Sequence, residues 1–468
     1  MNSTSDRTER TFWRWTAVIL AAYAGGLLFF AAETFVSTDE SIYVEQAVAW
    51  ASGSGFPAPV SHYPPGTSLL QVPFVKAGGW QAAAWASVAS LAATIVMLGR
   101  WLIDLRYPPF AALLFLVFAP TLVLGRIGMS DVPSAAVVTA GLWLFWTGVR
   151  SARRWFAAGL LAGLSLLFRE TNVLLFIPFY LGAIGRRENG WIWLAGGFVV
   201  GMSVRLATSQ WLFGSPFFVH SQSRWSLGAA FDSLPIYVFA LLVMVPGGLV
   251  AVATYGGERR RELKAAVALY LCVYVFYVYS GQSSQPFVRL AAAGRYLIPL
   301  VPLVAVAWAD MARRHAWPVR RLLPGAGIVA LAGALLVHPV VHWWGAREAA
   351  VAEDIVAQTR DGDALIASWA AQKYVSPVYG PRRRIWIERA DVADLPAITA
   401  QNPGTFLVRV SREDTSPAAV GSDETERFVS AARQRCRVEQ VFDRTYDGSR
   451  RLGLWRIDSC NGNPLRDR

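Results

Sequence analysis

Long apolar stretches broken by short polar turns set the pattern of the first three quarters of this chain. A hydrocarbon core of ~30 Å is crossed by roughly 20 apolar residues in helical form. On that template about eleven spans are predicted, near 12–32, 81–101, 108–125, 132–149, 155–168, 171–184, 191–213, 234–254, 265–280, 297–311 and 322–340. Residues 155–184 also read as one long helix interrupted at Arg169-Glu170. The flanking pairs Arg153/Arg154 and Arg186/Arg187 belong on one side of the bilayer, which favours two short, tilted helices. The first span is too long for a cleaved leader and has no small-residue cleavage site after it, so it is expected to remain as a helix.

From about Ala346 the period changes. Strands are predicted at Ala364–Ser368, Ile385–Ile387, Thr405–Val410, 438–443 and 453–458, with helices near 347–359, 391–400 and 423–434. That alternation describes a small α/β domain of roughly 120 residues, large enough for its own core. The expected fold class is therefore an α-helical polytopic membrane protein carrying a small C-terminal extracytoplasmic α/β domain. The expected division is 1–340, with a first outer loop at 33–79, and 341–468.

Composition agrees with a membrane protein. Of 468 residues 54% are hydrophobic, 16% are charged and 20 are Trp, a mix foreign to soluble globular chains. The net charge of +12 raises the question of nucleic acid, but the surplus falls in short clusters such as Arg7/Arg10/Arg14, Arg150/Arg153/Arg154 and Arg259/Arg260/Arg261, at every second loop. That is the positive-inside pattern of a multi-pass membrane protein, and it argues against a nucleic-acid partner. It puts the N-terminus in the cytoplasm and the C-terminal domain outside.

The same parity sends Glu33, Asp39, Glu40, Arg126, Asp131, Arg169, Glu170, Arg289 and Arg295 to the outer ends of spans. Ionisable groups near hydrocarbon are costly and usually functional. Gathered on one face, they suit a reaction site at the outer surface better than a relay at mid-depth. Ser37 to Glu40 has capping-box spacing, so Glu40 is either a structural cap or a catalytic acid. Asp39 is not needed for the cap, and a carboxylate in a first helical turn is held ionised and can serve as a general base. Asp131 is either a cap or a site acid. Pro65 presets the start of a second short helix running toward Lys76, with His62 and Tyr63 placed to line the site.

Asp39-Glu40, Tyr63-Pro64-Pro65-Gly66, Arg126-Ile127-Gly128-Met129-Ser130-Asp131, Phe168-Arg169-Glu170-Thr171 and Gly294-Arg295-Tyr296-Leu297-Ile298-Pro299 follow one another along the chain. In that order they resemble the GT-C superfamily, and within it the bacterial protein-mannosyltransferase and aminoarabinose-transferase branch. The resemblance covers about residues 10–340. It implies an enzyme that takes a sugar from a polyprenyl-phosphate carrier and transfers it, with inversion, to an envelope acceptor that is a protein, a lipid or a polysaccharide. It also implies Asp39 as the proton acceptor, Asp131 in a supporting place and Arg295 at the donor phosphate.

The chemistry asks for the same groups. The acceptor hydroxyl loses a proton while the lipid phosphate leaves with negative charge, so a base and a cationic clamp must converge on the anomeric carbon. Arginine suits phosphate through its planar fork. Arg295 leads, with Arg169, Arg289 and Arg126 behind it, and Tyr296 is expected to line the substrate. Each arginine also reads as an interfacial anchor or a partner for Glu170 or Asp131. No cofactor is required; a divalent cation at the acids remains open, although no His/Cys cluster supports one. Cys436 and Cys460 flank the last two strands, and a hairpin turning at Asp447-Gly448-Ser449 sets them opposite one another as a disulfide. Two other functions fit a chain of this kind, a flippase or transporter of lipid-linked sugars and a membrane-anchored envelope assembly protein.

Overall fold

A computed structural model describes residues 3–54, 63–148, 151–217, 224–278, 293–412, 422–446 and 450–460. These fall into two compact units. The described residues of Met1–Ala31, Ala49–Tyr279 and Phe287–Val340 form the first, and those of Ala32–Val48 and Val341–Arg468 form the second.

The first unit is helical, and every predicted span contains helix. The spans are not alike in length, however. Among the described residues five helices are long and apolar enough to cross a membrane: Arg7–Phe29, Trp80–Asp104, Trp191–Phe213, Arg295–Arg314 and Leu322–Gln358. A bent pair, Ala229–Met244 and Gly248–Thr254, makes a sixth if taken together. Its 90° break has a local cause. Val245, restricted by the following Pro246, is extended, and Gly247 has φ +69°. The stretch at 108–125 is broken likewise into Pro109–Leu113, Leu114–Val117 and Ala119–Leu124. Phe118 is extended just before Pro120, which has no N–H to give back to the preceding turn. Such breaks are tolerated where protein surrounds the backbone, and Pro109–Leu116 is wholly buried. The helices Asp131–Thr147, Ala152–Ser165, Val173–Gly185 and Arg260–Val275 are 17, 14, 13 and 16 residues long. The two helices expected on either side of Arg169-Glu170 are thus separate.

The outside of this unit is apolar. Trp191–Phe213 exposes Ile192, Trp193, Val199, Val200 and Trp211, and the last long helix exposes Ile328, Val329, Leu335, Leu336 and Val340. Stripes of that size go bare only against lipid or a partner. By contrast 94% of the apolar stretch of Arg295–Arg314 is buried, so it runs through the interior. Trp191–Phe213 lies against Ala152–Ser165 through Gly159 and Gly163 on one side and Gly197 and Gly201 on the other; a Cβ on any of the four would enter the facing backbone. Small residues four apart are how helices approach closely in lipid. A two-residue antiparallel pair, β1 (Arg224–Trp225) with β2 (Tyr277–Val278), completes the unit.

The second unit carries a five-stranded mixed sheet of β3 (Ala364–Ala367), β4 (Arg383–Trp386), β5 (Thr405–Arg412), β6 (Cys436–Tyr446) and β7 (Arg450–Cys460) in the order β4-β3-β5-β7-β6. β3 is parallel to β4 and to β5, whereas β7 is antiparallel to β5 and β6. β4 and β5 run the same way on either side of β3, so their connection must cross over, and it does so through the short helices ending in Leu395–Gln401. Helix Ser422–Arg435 buries Thr425, Phe428, Val429 and Ala432, a single face at helical spacing. Its apolar residues meet Ile366, Leu407, Trp455 and Ile457 of the sheet in one core. Cys436 stands opposite Cys460 and the two form a disulfide. The hairpin turn at 447–449 lies outside the described residues. Closing a loop of this length stabilises a domain by about 3 kcal/mol. Labelling the unreduced protein with a thiol reagent is expected to modify Cys272 alone, and three modified cysteines would contradict the bridge.

Candidate active site

Four of the five sequence motifs come together within the membrane unit. Gly66 sits directly on the chain before Arg169: its N–H donates to the Leu167 carbonyl at 2.7 Å, and a Cβ there would stand 2.7 Å from the same oxygen. Only glycine permits that approach, which explains the last letter of Tyr63-Pro64-Pro65-Gly66. The helix that follows, Gly66–Gly78, begins where Pro65 was expected to start it. From it Gln71 donates through Nε2 to the Gly128 carbonyl at 2.9 Å, gripping the turn that leads to Asp131. Ser134 then donates to Asn172 Oδ1 at 2.8 Å, and Asn172 donates to the Ser165 carbonyl at 3.0 Å.

These contacts hold Asp131 and Arg169 face to face. Arg169 Nη2 lies 2.6 Å from Asp131 Oδ1, and its Nε donates to Ser130 Oγ at 3.4 Å. Asp131 is fully buried, while Arg169 retains 13% of its side-chain surface. The second carboxylate oxygen, Oδ2, is buried with no hydrogen-bond partner among the described residues. An unmet acceptor of that kind is costly unless something else fills it. Asp131 is the first residue of the helix Asp131–Thr147; the N-cap is Ser130, and no side chain makes a cap bond there. Asp131 thus stands in the first turn with its ion pair and is not a cap.

Arg169 does not stand alone. Its guanidinium carbon is 5.2 Å from the centre of the Tyr296 ring, and that of Arg295 is 5.0 Å from the same ring. Arg295 also donates through Nη2 to the Tyr296 hydroxyl at 3.1 Å. One aromatic ring thus carries two cations, an arrangement whose mutual repulsion favours an anion between or beside them. Tyr296 is in turn stacked on Tyr274, with centroids 4.9 Å apart and planes 24° from parallel, and Tyr277 meets it edge-on at 5.6 Å. Tyr270 donates to the Tyr296 carbonyl at 2.8 Å, and the Tyr274 hydroxyl bonds Thr171 Oγ1 at 2.6 Å.

The other named residues are placed differently. Arg126 donates to the carbonyls of His338 and Phe30, both at 2.5 Å, and so ties the end of the first helix to the long helix Leu322–Gln358. Tyr63 is half-buried at the head of its helix. His62 and Arg289 lie outside the described residues.

Asp39 and Glu40 belong to the second unit. Glu40 resolves into the cap: its N–H donates to Ser37 Oγ at 3.1 Å and its Oε2 accepts from the Val36 N–H at 2.8 Å. Glu40 is 6% exposed, with its carboxylate turned toward the helix start. Asp39 is half-exposed in the same first turn. Further along, Glu45 is held by both arms of Arg384, at 3.0 and 2.8 Å. Burial pushes the Glu45 carboxyl above the usual carboxylate range, and the Arg384 guanidinium opposes that push. Among the described residues no group of three or more His, Cys, Asp or Glu is disposed to hold a metal ion.

Neither a protein-family model nor a curated protein matches this sequence. Solved structures do match it. The crystal structure of ArnT from Cupriavidus metallidurans bound to undecaprenyl phosphate superimposes with a TM-score of 0.58 at 15% identity, over 94% of this chain and 97% of that one. Its apo form gives 0.59 at 16%, with the same coverage. The chain has the GT-C fold.

Sequence reasoning missed Tyr274 and Tyr277; Tyr270 and Tyr274 lie four apart on the helix Arg260–Val275, and Tyr277 follows it in β2. The i, i+4 spacing of Tyr270 and Tyr274 was the available signal, since it sets the two on one helix face. Glu45 and Arg384 were missed too, because nothing local links residues so far apart in the chain.

Proposed function

We propose that this protein is an integral-membrane glycosyltransferase of the bacterial cytoplasmic membrane, moving a sugar from a polyprenyl-phosphate carrier to an acceptor at the outer face. The observation that carries the reading is the pair of guanidinium groups on Tyr296, backed by an end-to-end likeness to a protein crystallised with undecaprenyl phosphate. In this reading the acceptor hydroxyl attacks the anomeric carbon from the side opposite the phosphate. The new C–O bond forms as the bond to the phosphate oxygen breaks, so the configuration inverts. Asp39 takes the hydroxyl proton, and the electron pair leaves with the lipid phosphate, whose growing charge Arg295 and Arg169 stabilise. Asp131 keeps Arg169 oriented, and its unpartnered Oδ2 is an acceptor suited to a sugar hydroxyl.

The test is carrier-dependent transfer by the purified protein in lipid nanodiscs, over a panel of polyprenyl-phosphate sugars and envelope extracts as acceptors. One donor is expected to lose its sugar to an acceptor with release of polyprenyl phosphate. Movement of intact lipid-linked sugar across a sealed bilayer with no transfer would replace the enzyme by a flippase.

A further inference from the structure

The segment that carries Asp39 is covalently the first loop of the membrane unit, yet Ala32–Val48 packs with the residues from Val341 onward. The contacts are specific and bracket Asp39. Before it, the Tyr379 hydroxyl bonds Thr34 Oγ1 at 2.5 Å and accepts from the Phe35 N–H at 3.2 Å, and Lys373 Nζ donates to the Val36 carbonyl at 3.1 Å. After it, Arg384 takes Glu45 in a two-armed pair, with Gln372 Nε2 3.4 Å from the same carboxylate. Glu45 and Arg384 keep only 7% and 13% of their side-chain surface. The clamp is itself braced: Lys373 pairs at 2.9 Å with Glu348, which is fully buried and also takes Arg450 of β7 at 3.0 Å.

We infer that the C-terminal α/β domain is the positioning element for the proposed base, with Arg384, Lys373 and Tyr379 fixing the turn that presents Asp39. This rests on the reading of Asp39 as the base. The residues are positioning residues, since none of them has to touch the reacting atoms. A bidentate pair at one end and two hydroxyl bonds with an ammonium at the other leave the intervening turn few ways to move. A base displaced by even an ångström loses much of its effect.

The experiment uses the full chain in nanodiscs and compares wild type, Arg384→Gln, Arg384→Lys, Tyr379→Phe and Asp39→Asn. Amide hydrogen exchange over residues 34–46 is expected to speed up about tenfold in Arg384→Gln and severalfold in Tyr379→Phe, with the helices of the membrane unit unchanged. With a donor that the wild type accepts, kcat should fall about tenfold in Arg384→Gln while the donor KM stays within about twofold, and Arg384→Lys should recover part of the loss. Tyr379→Phe removes a single hydroxyl, so it remains informative if Arg384→Gln misfolds around the abandoned Glu45. Unchanged exchange in both variants, or a full kcat with faster exchange, overturns the inference. A fully active Asp39→Asn would instead remove the proposed base, and the exchange result would still report whether the clamp holds the segment.

Discussion

Asp39→Asn should lower kcat by about 10²–10⁴-fold while leaving the donor KM within a few-fold, because it removes a proton acceptor at nearly unchanged size and shape. The substitution is nearly isosteric, and Asp39 is half-exposed in the first turn of Thr38–Ala51. Losing one carboxylate beside the positive end of a helix costs at most about 1 kcal/mol of stability. Steady-state transfer rates, read beside a thermal melt of the same preparation, separate the two effects. Its neighbour provides the internal control. Glu40→Gln weakens a cap worth about 1 kcal/mol, through the bond to the Val36 N–H, and should lower the melting temperature with little change in kcat. A normal rate in Asp39→Asn, or equal rate losses in both variants, would take the base away from Asp39.

The second large effect is expected at Arg295. Replacing it by Gln removes one of the two cations on the Tyr296 ring, and kcat/KM for the donor should fall on the order of a hundredfold. Arg295→Lys restores the charge without the planar fork and should recover only part of the activity. Arg169 is the poorer probe, although its guanidinium shares the ring. Truncating it strands the fully buried Asp131 carboxylate, at a cost of about 3–5 kcal/mol, so lost folding would be confused with lost catalysis. Titration of a short-chain polyprenyl phosphate against Arg295→Gln checks the assignment directly. Binding as tight as in the wild type would mean that Arg295 does not grip the phosphate.

How far the sequence carried can be judged from particular residues. The C-terminal sheet was readable because its strands alternate with helices over short distances and its cysteines mark the register: Cys436 faces Cys460 as the hairpin required. The helical unit was readable as apolar stretches, but not its breaks. A hydropathy window sees 108–125 and 234–254 as continuous, while Pro120 and Pro246-Gly247 interrupt them once neighbouring protein can surround the freed backbone groups. At the site, the motifs foretold which residues mattered and not which would meet. Arg126 and Arg169 look alike in sequence; one is taken by two main-chain carbonyls and the other by Asp131. Glu40 and Asp39 are adjacent, and only the hydrogen bonds to Ser37 and Val36 tell them apart. The tie between Glu45 and Arg384 spans more than three hundred residues, beyond the reach of any local pattern.

The most direct trial of this account asks whether the proposed base and the proposed phosphate clamp face the same compartment. In a Cys272→Ser background, whose remaining cysteines are joined as Cys436–Cys460, single cysteines are introduced as Asp39→Cys or Arg295→Cys and challenged with a membrane-impermeant maleimide on intact cells. Both positions are predicted to label from outside, without permeabilisation. Labelling of the two from opposite sides of the membrane would contradict the account, since no single reaction centre could then contain them.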